Sequence, residues 1–199
     1  MVTSEPNLSE SDEDLMRRYL AGDEKAFEIV YGRRRAGLRR FFERQCGSNA
    51  LGQELAQDVW FKLIRACQNK QYTAEAKFTT YLYRLAKNQL IDWYRKNGNV
   101  KTVELNDALE GDDETVEHHH YHVDNPESIY ADRERLTAVL EAVEGLSKEQ
   151  KATLLMQVEG NMSYEEIANA MGTNRETVKT RLRYAREHLK RRVFGGSAE

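Results

Sequence analysis

The chain has 199 residues, of which 40% are hydrophobic and 32% charged, and its formal net charge is −3. This length allows one large or two small domains with cores of their own, and the composition excludes fibrous and fully disordered proteins. The apolar runs are far shorter than the roughly 20 residues of a membrane-spanning helix, and the acidic N-terminus lacks the apolar stretch of an export signal. We therefore expect a soluble, cytoplasmic protein without membrane insertion.

Helix-forming residues dominate the chain, and only two prolines interrupt it. In the first half, apolar residues recur at steps of three, four and seven, which predicts four helices. The last of these spans 77–97 and ends at an Asn-Gly-Asn stop signal. We assign residues 10–98 to a first helical domain. The core stripe of its last helix is predicted to be Phe78, Leu82, Leu85, Ala86, Gln89 and Trp93.

The outer side of the 77–97 helix combines aromatic and basic residues. Single-stranded nucleic acids bind such surfaces because bases stack on aromatic rings while Lys and Arg contact phosphates. An equally open alternative is that the tyrosines only complete the rim of the core. The candidate residues are Tyr81, Tyr83, Arg84, Lys87, Asn88, Tyr94 and Arg95.

Residues 99–124 have low hydrophobicity and no sustained period, which predicts a flexible acidic linker. From Lys101 to Glu127, nine acidic residues stand against one lysine and leave a net charge of −8. Four of the five histidines lie in the tract 118–122. Imidazoles at such spacing can bind Zn²⁺, but we favour a solvated tract and expect neither a metal site nor a cofactor.

The second domain is predicted over 125–194, beginning with an N-cap and proline at Asn125 and Pro126. Three later helix starts show the reciprocal capping-box pattern, in which a Ser or Thr is followed three residues later by Glu or Gln. These pairs are Ser147 with Gln150, Ser163 with Glu166, and Thr173 with Glu176. The overall expectation is an all-α protein with two small helical domains.

The last two helices are separated only by the turn 171–173, which is helix-turn-helix spacing. From Thr173 to Val193, eight basic residues stand against two acidic ones. An amphipathic helix with a basic outer face suits the major groove of DNA, whereas the plainer alternative is a solvated face on a helical hairpin. The candidate DNA-contacting residues are Asn174, Arg175, Glu176, Thr177, Lys179, Thr180 and Arg183.

Catalytic chemistry is not expected, because no nucleophile and base set, P-loop or metal-hydrolase motif is present. The two cysteines lie outside any CxxC spacing, as in proteins of a reducing compartment. Cys67 falls on the core stripe of the third helix, which favours a buried structural thiol over a redox switch.

The order of these segments resembles that of bacterial sigma factors of the extracytoplasmic-function type. The segment ELAQDVWFKLIRA resembles the family's polymerase-binding helix, and KFTTYLYRLAKNQLIDWYRK resembles its segment for melting and reading the −10 promoter element. MSYEEIANAMGTNRETVKTRLRYAREHLKR resembles its −35-reading helices. The resemblance covers roughly residues 14–193.

This resemblance implies a transcription initiation factor that binds core RNA polymerase, recognises −35 and −10 elements and assists DNA opening. Tyr81 would occupy the family's usual tryptophan position, and the acidic linker would follow the family's RNA path. Control by an anti-sigma protein, a regulatory kinase or expression level stays open. The residues implied to contact the polymerase are Glu54, Gln57, Asp58 and Phe61.

Two other functions fit the same residues. A free-standing helix-turn-helix regulator would use the N-terminal helices to bind an effector or a second copy of itself. A metal-sensing regulator would use the histidine tract.

Overall fold

The computed structural model describes residues 10–97 and 137–194, and within these ranges every regular element is a helix. The linker 99–124, the histidine tract and the predicted cap at Asn125 and Pro126 lie outside the described residues. The prediction of an all-α fold is confirmed. The helices are α1 (Asp12–Leu20), α2 (Glu24–Cys46), α3 (Asn49–Gln68), α4 (Phe78–Lys96), α5 (described over 137–144), α6 (Lys148–Gly160), α7 (Tyr164–Met171) and α8 (Arg175–Phe194).

Helices α1 to α4 form an N-terminal unit whose core is rich in aromatic rings. Phe41 and Phe42 of α2 are fully buried and meet edge to face, with ring centroids 5.3 Å apart. Phe78 and Leu82 of α4 are also fully buried. The core stripe predicted for α4 is therefore confirmed at these positions, while Leu85 and Trp93 are only partly buried.

Local signals in the sequence explain where the N-terminal helices begin and end. The hydroxyl groups of Ser11 and Ser48 accept hydrogen bonds from the first turns of α1 and α3. Helix α2 is capped at its C-terminus by Gly47, whose φ of 67° is a left-handed conformation that glycine adopts without a steric cost.

Two carboxylates of α1 connect this helix to α2 and to the start of α4. Asp12, whose side chain is 5% exposed, forms ion pairs with Arg33 and Arg34 of α2. Glu13 Oε1 accepts a hydrogen bond from the backbone N–H of Phe78 at 2.8 Å. Since Lys77 supplies no side-chain cap to α4, the distant Glu13 carboxylate satisfies an N–H at the start of this helix.

The C-terminal unit comprises residues 137–194 and contains two of the three predicted capping boxes. Both reciprocal hydrogen bonds are present at Ser147 with Gln150 and at Ser163 with Glu166. These pairs begin α6 and α7 where the sequence predicts, which confirms two of the three expected helix starts.

The third predicted capping box is wrong. Helix α8 begins at Arg175, and Asn174 Oδ1 accepts a hydrogen bond from Thr177 N at 2.7 Å. Thr173 instead belongs to the end of α7, because its N–H donates to Ala168 O just after Gly172 adopts a left-handed φ of 65°. Asparagine is at least as favourable an N-cap as threonine, so the helix starts one residue later.

The two units pack directly against each other, and their buried apolar side chains form one continuous cluster. Helix α2 packs against α6, and α4 packs against α6 and α7. One side of α4, the helix that carries the −10 candidates, therefore faces the C-terminal unit.

We predict that Glu13→Ala lowers the free energy of unfolding by about 1–2 kcal/mol, because it removes a charged acceptor from the start of α4. Glu28→Ala, at an exposed position on α2, is the matched control and should cost less than about 0.5 kcal/mol. Urea unfolding followed by circular dichroism measures both. Equal losses for the two variants would contradict the capping role of Glu13.

Candidate nucleic-acid interface

Helix α8 separates an apolar side from a polar side, as the sequence predicts. Val178, Leu182 and Ala185 are fully buried against the C-terminal unit. The candidate residues at its N-terminus, Asn174 and Arg175 among them, are exposed. All seven candidates are exposed or partly exposed. They are Asn174, Arg175, Glu176, Thr177, Lys179, Thr180 and Arg183.

On α4, the most accessible candidates are Arg84, Asn88 and Arg95, which are exposed. Tyr81 is half-buried, with its ring centroid 4.7 Å from that of Tyr72. The guanidinium carbon of Arg84 lies 5.2 Å from the centroid of the Tyr81 ring. Burial raises the pKa of Tyr81. An aromatic ring held this way beside an arginine is suited to stacking a base next to its phosphate.

The prediction that Tyr83 lies on the outer face of α4 is wrong. Its side chain is 2% exposed and meets Phe41 edge to face at a centroid distance of 5.4 Å. A Cβ added at Gly160 of the C-terminal unit would lie 2.9 Å from Tyr83 Cε2. Burial raises the pKa of the Tyr83 phenol. A helical wheel of α4 alone could not show that a second unit covers this side of the helix.

Two further α4 candidates contact the C-terminal unit. Lys87 Nζ donates to the backbone oxygen of Met171 at 2.6 Å, and burial together with the charge of Arg181 lowers the pKa of Lys87. Lys148 Nζ lies 3.9 Å from the centroid of the Tyr94 ring. Burial raises the pKa of Tyr94. Three of the seven candidates on α4, namely Tyr83, Lys87 and Tyr94, thus contact the other unit.

The polymerase-contact candidates share one accessible side of α3. Glu54, Gln57, Asp58 and Phe61 are all exposed, and Phe61 is 52% exposed. Behind them, the buried Gln89 of α4 donates to Asp58 Oδ2 at 2.8 Å and accepts a hydrogen bond from Lys62 Nζ at 2.5 Å. This amide connects the α3 surface to the helix that carries the −10 candidates.

Both cysteine thiols have raised pKa values. Cys67 is buried, as predicted, and burial raises its pKa to about 11. Burial also raises the pKa of the partly buried Cys46 to about 11. Little reactive thiolate exists at neutral pH under these conditions, which favours structural roles.

Neither a metal cluster nor a membrane span emerges from the part of the chain that the structure describes. Its His, Cys, Asp and Glu side chains do not gather in groups of three that could hold a metal ion. None of the helices in 10–97 and 137–194 is long and apolar enough to cross a membrane.

Two protein-family models match the chain in the order of its two units. Sigma-70 region 2 matches residues 30–100, and Sigma-70, region 4 matches residues 136–189. Together these matches span more than half of the chain. The chain belongs to the sigma-70 family.

Curated relatives place this sigma factor in the extracytoplasmic-function (ECF) group. The ECF RNA polymerase sigma-E factor of Haemophilus influenzae is 26% identical over 183 residues, which are 92% of this chain and 95% of that protein. The protein of the same name from Escherichia coli K12 is also 26% identical, over 92% of this chain and 94% of its own length.

Solved structures share the fold of this sigma factor. CnrH, solved in complex with the cytosolic domain of CnrY, matches with a TM-score of 0.65 and 17% identity over 95% of this chain and all of CnrH. RpoE from Bartonella quintana, solved with the anti-sigma factor NepR, matches with a TM-score of 0.60 and 20% identity over 83% of this chain and 95% of RpoE.

This sigma factor is a transcription initiation factor that directs RNA polymerase to promoters, and sigma factors are non-catalytic. The matches lend no support to a free-standing regulator or a metal sensor.

Sequence reasoning missed the residues that join the two units, among them Glu159 and Arg40. A cross-unit ion pair follows no local periodicity, so no signal in the sequence distinguishes these residues from solvated charges.

We predict that Tyr83→Ala lowers the free energy of unfolding by about 3 kcal/mol, because it empties a buried aromatic site. Tyr81→Ala, at a half-buried position, should cost about 1 kcal/mol. Thermal and urea unfolding of the full chain measure both variants. A Tyr83→Ala protein as stable as the wild type would show that this ring is not part of the core.

Proposed function

We propose that this sigma factor acts in the cytoplasm, binds core RNA polymerase through the exposed face of α3 and reads promoters with α4 and α8. The α3 face combines an accessible phenyl ring, Phe61, with the carboxylates of Glu54 and Asp58. An exposed aromatic residue surrounded by polar groups is typical of a protein-binding surface. The single observation that best supports the proposal is that accessible candidates lie on α3 and α4, within the residues that match Sigma-70 region 2, and on α8, within those that match Sigma-70, region 4.

Helix α8 would enter the major groove at the −35 element. Its buried side fixes the helix on α6 and α7, so that the N-terminal turn projects from the unit. Arg175 lies in that turn and is exposed. An arginine in this position can donate two hydrogen bonds to guanine O6 and N7.

Helix α4 would capture the non-template strand of the −10 element after local opening. Tyr81 offers a partly exposed aromatic side chain, and Asn88 offers an exposed amide that can hydrogen-bond a base edge. Unstacking a base costs a few kcal/mol, and stacking on an aromatic ring returns about 1–3 kcal/mol. One ring can therefore decide a nearly balanced opening step.

An anti-sigma protein fits this function as a further partner. RpoE of Bartonella quintana was solved with the anti-sigma factor NepR. We extend that kind of partner to this chain as part of the proposal.

We expect Tyr81→Ala to preserve binding to core polymerase but to reduce open-complex formation about 5- to 150-fold, the equivalent of losing about 1–3 kcal/mol of stacking. Permanganate footprinting on a promoter selected with the wild-type holoenzyme measures opening. Tyr81→Trp is the control that retains a stacking surface.

A −10 bubble opened in advance should restore much of the activity lost in Tyr81→Ala, because strand separation is then supplied. Normal opening by a folded Tyr81→Ala holoenzyme would show that strand capture lies elsewhere.

For the −35 contact, Arg175→Ala should weaken holoenzyme binding by about 5- to 150-fold, corresponding to about 1–3 kcal/mol. The loss should disappear on a template whose −35 element is scrambled. Arg191→Ala, at an exposed position near the other end of α8, is the matched control. Equal effects of both substitutions would assign α8 only a general attraction to phosphates.

A further inference from the structure

A groove of about 530 Å³ runs between α2 and α3. Sites that bind small molecules typically have volumes of about 300–1,000 Å³. Ala36 of α2 and Ala56 of α3 are among the residues that line the groove, and their short side chains leave space where the two helices pack. The groove is therefore large enough for a small organic ligand.

Aromatic rings form one end of this groove. Tyr31 of α2 is 39% exposed, and its ring centroid lies 5.0 Å from that of the buried Trp60 of α3. The ring of Phe27 stacks on Tyr31 at a centroid distance of 6.4 Å. Since two neighbouring rings hold Tyr31 in place, its accessible part is a fixed surface on which a planar ligand can stack.

Two arginines make the groove cationic. Arg35 and Arg39 follow Tyr31 at steps of four residues and therefore share its side of α2. The guanidinium carbon of Arg35 lies 5.9 Å from the centroid of the Tyr31 ring. Arg39 Nε lies 3.4 Å from Glu43 Oε1, and a guanidinium has four further N–H groups that can donate to a ligand. Among the described residues that line the groove, none is acidic, so an anionic ligand is favoured.

The aromatic and cationic groups are spaced along the groove. Helices α2 and α3 run in opposite directions, because a Cβ added at Gly52 would lie 2.6 Å from Glu43 N near the end of α2, whereas Trp60 meets Tyr31. Arg39 follows Tyr31 by eight residues, which is about 12 Å along a helix axis. A ligand that fills the groove needs a planar ring at one end and negative charge at the other.

Two glutamines of α3 complete the lining. Gln53 and Gln57 are both exposed, and each amide can donate and accept hydrogen bonds, as the edge of a base or a sugar hydroxyl requires. Gln57 is also one of the polymerase-contact candidates. The groove therefore borders the α3 face that carries Glu54, Asp58 and Phe61.

We propose that the α2–α3 groove binds a nucleoside diphosphate, with the base on Tyr31 and the phosphates at Arg35 and Arg39, and that the bound nucleotide hinders polymerase from docking on α3. The second part rests on the proposed function of α3. Inorganic phosphate would leave the aromatic end of the groove unused, and an uncharged aromatic compound would leave the arginines unused. Guanidinium groups are well suited to phosphates, since they form charge-assisted, bidentate hydrogen bonds with them.

Isothermal titration calorimetry of the free, full-length protein with ADP tests the site. We expect a Kd below about 1 mM. Arg39→Gln and Tyr31→Ala should each weaken ADP binding at least about fivefold, because one removes a phosphate contact and the other a stacking surface. Arg65→Gln is the matched control, since Arg65 is an exposed arginine of α3 that does not line this groove. Circular dichroism verifies that Tyr31→Ala is folded, and Arg39→Gln decides alone should it not be.

Two fragments of the probe test whether both ends of the groove contribute. Adenosine and inorganic pyrophosphate should each bind at least about tenfold more weakly than ADP, since each occupies only one end. No measurable ADP binding, or equal losses in Arg39→Gln and Arg65→Gln, would overturn the site. Pyrophosphate that binds as tightly as ADP would reduce the groove to a general anion site and would likewise overturn the proposal.

Binding of the fluorescently labelled protein to core polymerase tests the second part. Saturating ADP should weaken this binding at least about fivefold, and Arg39→Gln should require correspondingly more ADP for the same effect. Unchanged polymerase affinity of the ADP-bound protein would overturn the hindrance of docking. Failure of the proposed function has a different signature, because the protein would then not bind core polymerase even without ADP, whatever the calorimetry of the free protein shows.

Discussion

The close approach of α2 and α6 around the Glu159 carboxylate is the constraint on which the arrangement of this sigma factor depends. Gly37 lets α2 approach the backbone oxygen of Glu159, Gly160 leaves room for the Tyr83 ring, and two arginines compensate the buried charge. Because α4 also packs against α6 and α7, the contact between the units decides which α4 side chains meet solvent. Tyr83 becomes a core residue in this arrangement, whereas Tyr81 keeps part of its ring accessible.

Helix α4 links the proposed polymerase and promoter surfaces. At its N-terminus it is capped by Glu13 of α1, and in its middle Gln89 binds both Asp58 and Lys62 of α3. A buried amide with partners on a neighbouring helix fixes the relative position of the two helices. Docking of α3 on a polymerase would therefore carry α4 along as part of one rigid unit.

Features governed by local chemistry could be predicted from the sequence, and features governed by contacts between distant segments could not. The capping boxes at Ser147 and Ser163 begin helices as predicted, since capping involves only neighbouring residues. The box at Thr173 fails because Asn174 competes for the same role one position later. The predicted exposure of Tyr83 is wrong for a different reason. The ring packs against Gly160, which lies 77 positions away along the chain.

The cap of α8 restricts what its first side chain can recognise. Asn174 Oδ1 already accepts a hydrogen bond from Thr177 N, so one of its two lone pairs and the orientation of its amide are fixed by the cap. Bidentate recognition of adenine requires an asparagine to offer both an acceptor and a donor. A capping Asn174 therefore keeps two N–H donors for guanine edges or phosphate oxygens, and it can pair with adenine only in an orientation that leaves the Thr177 bond intact.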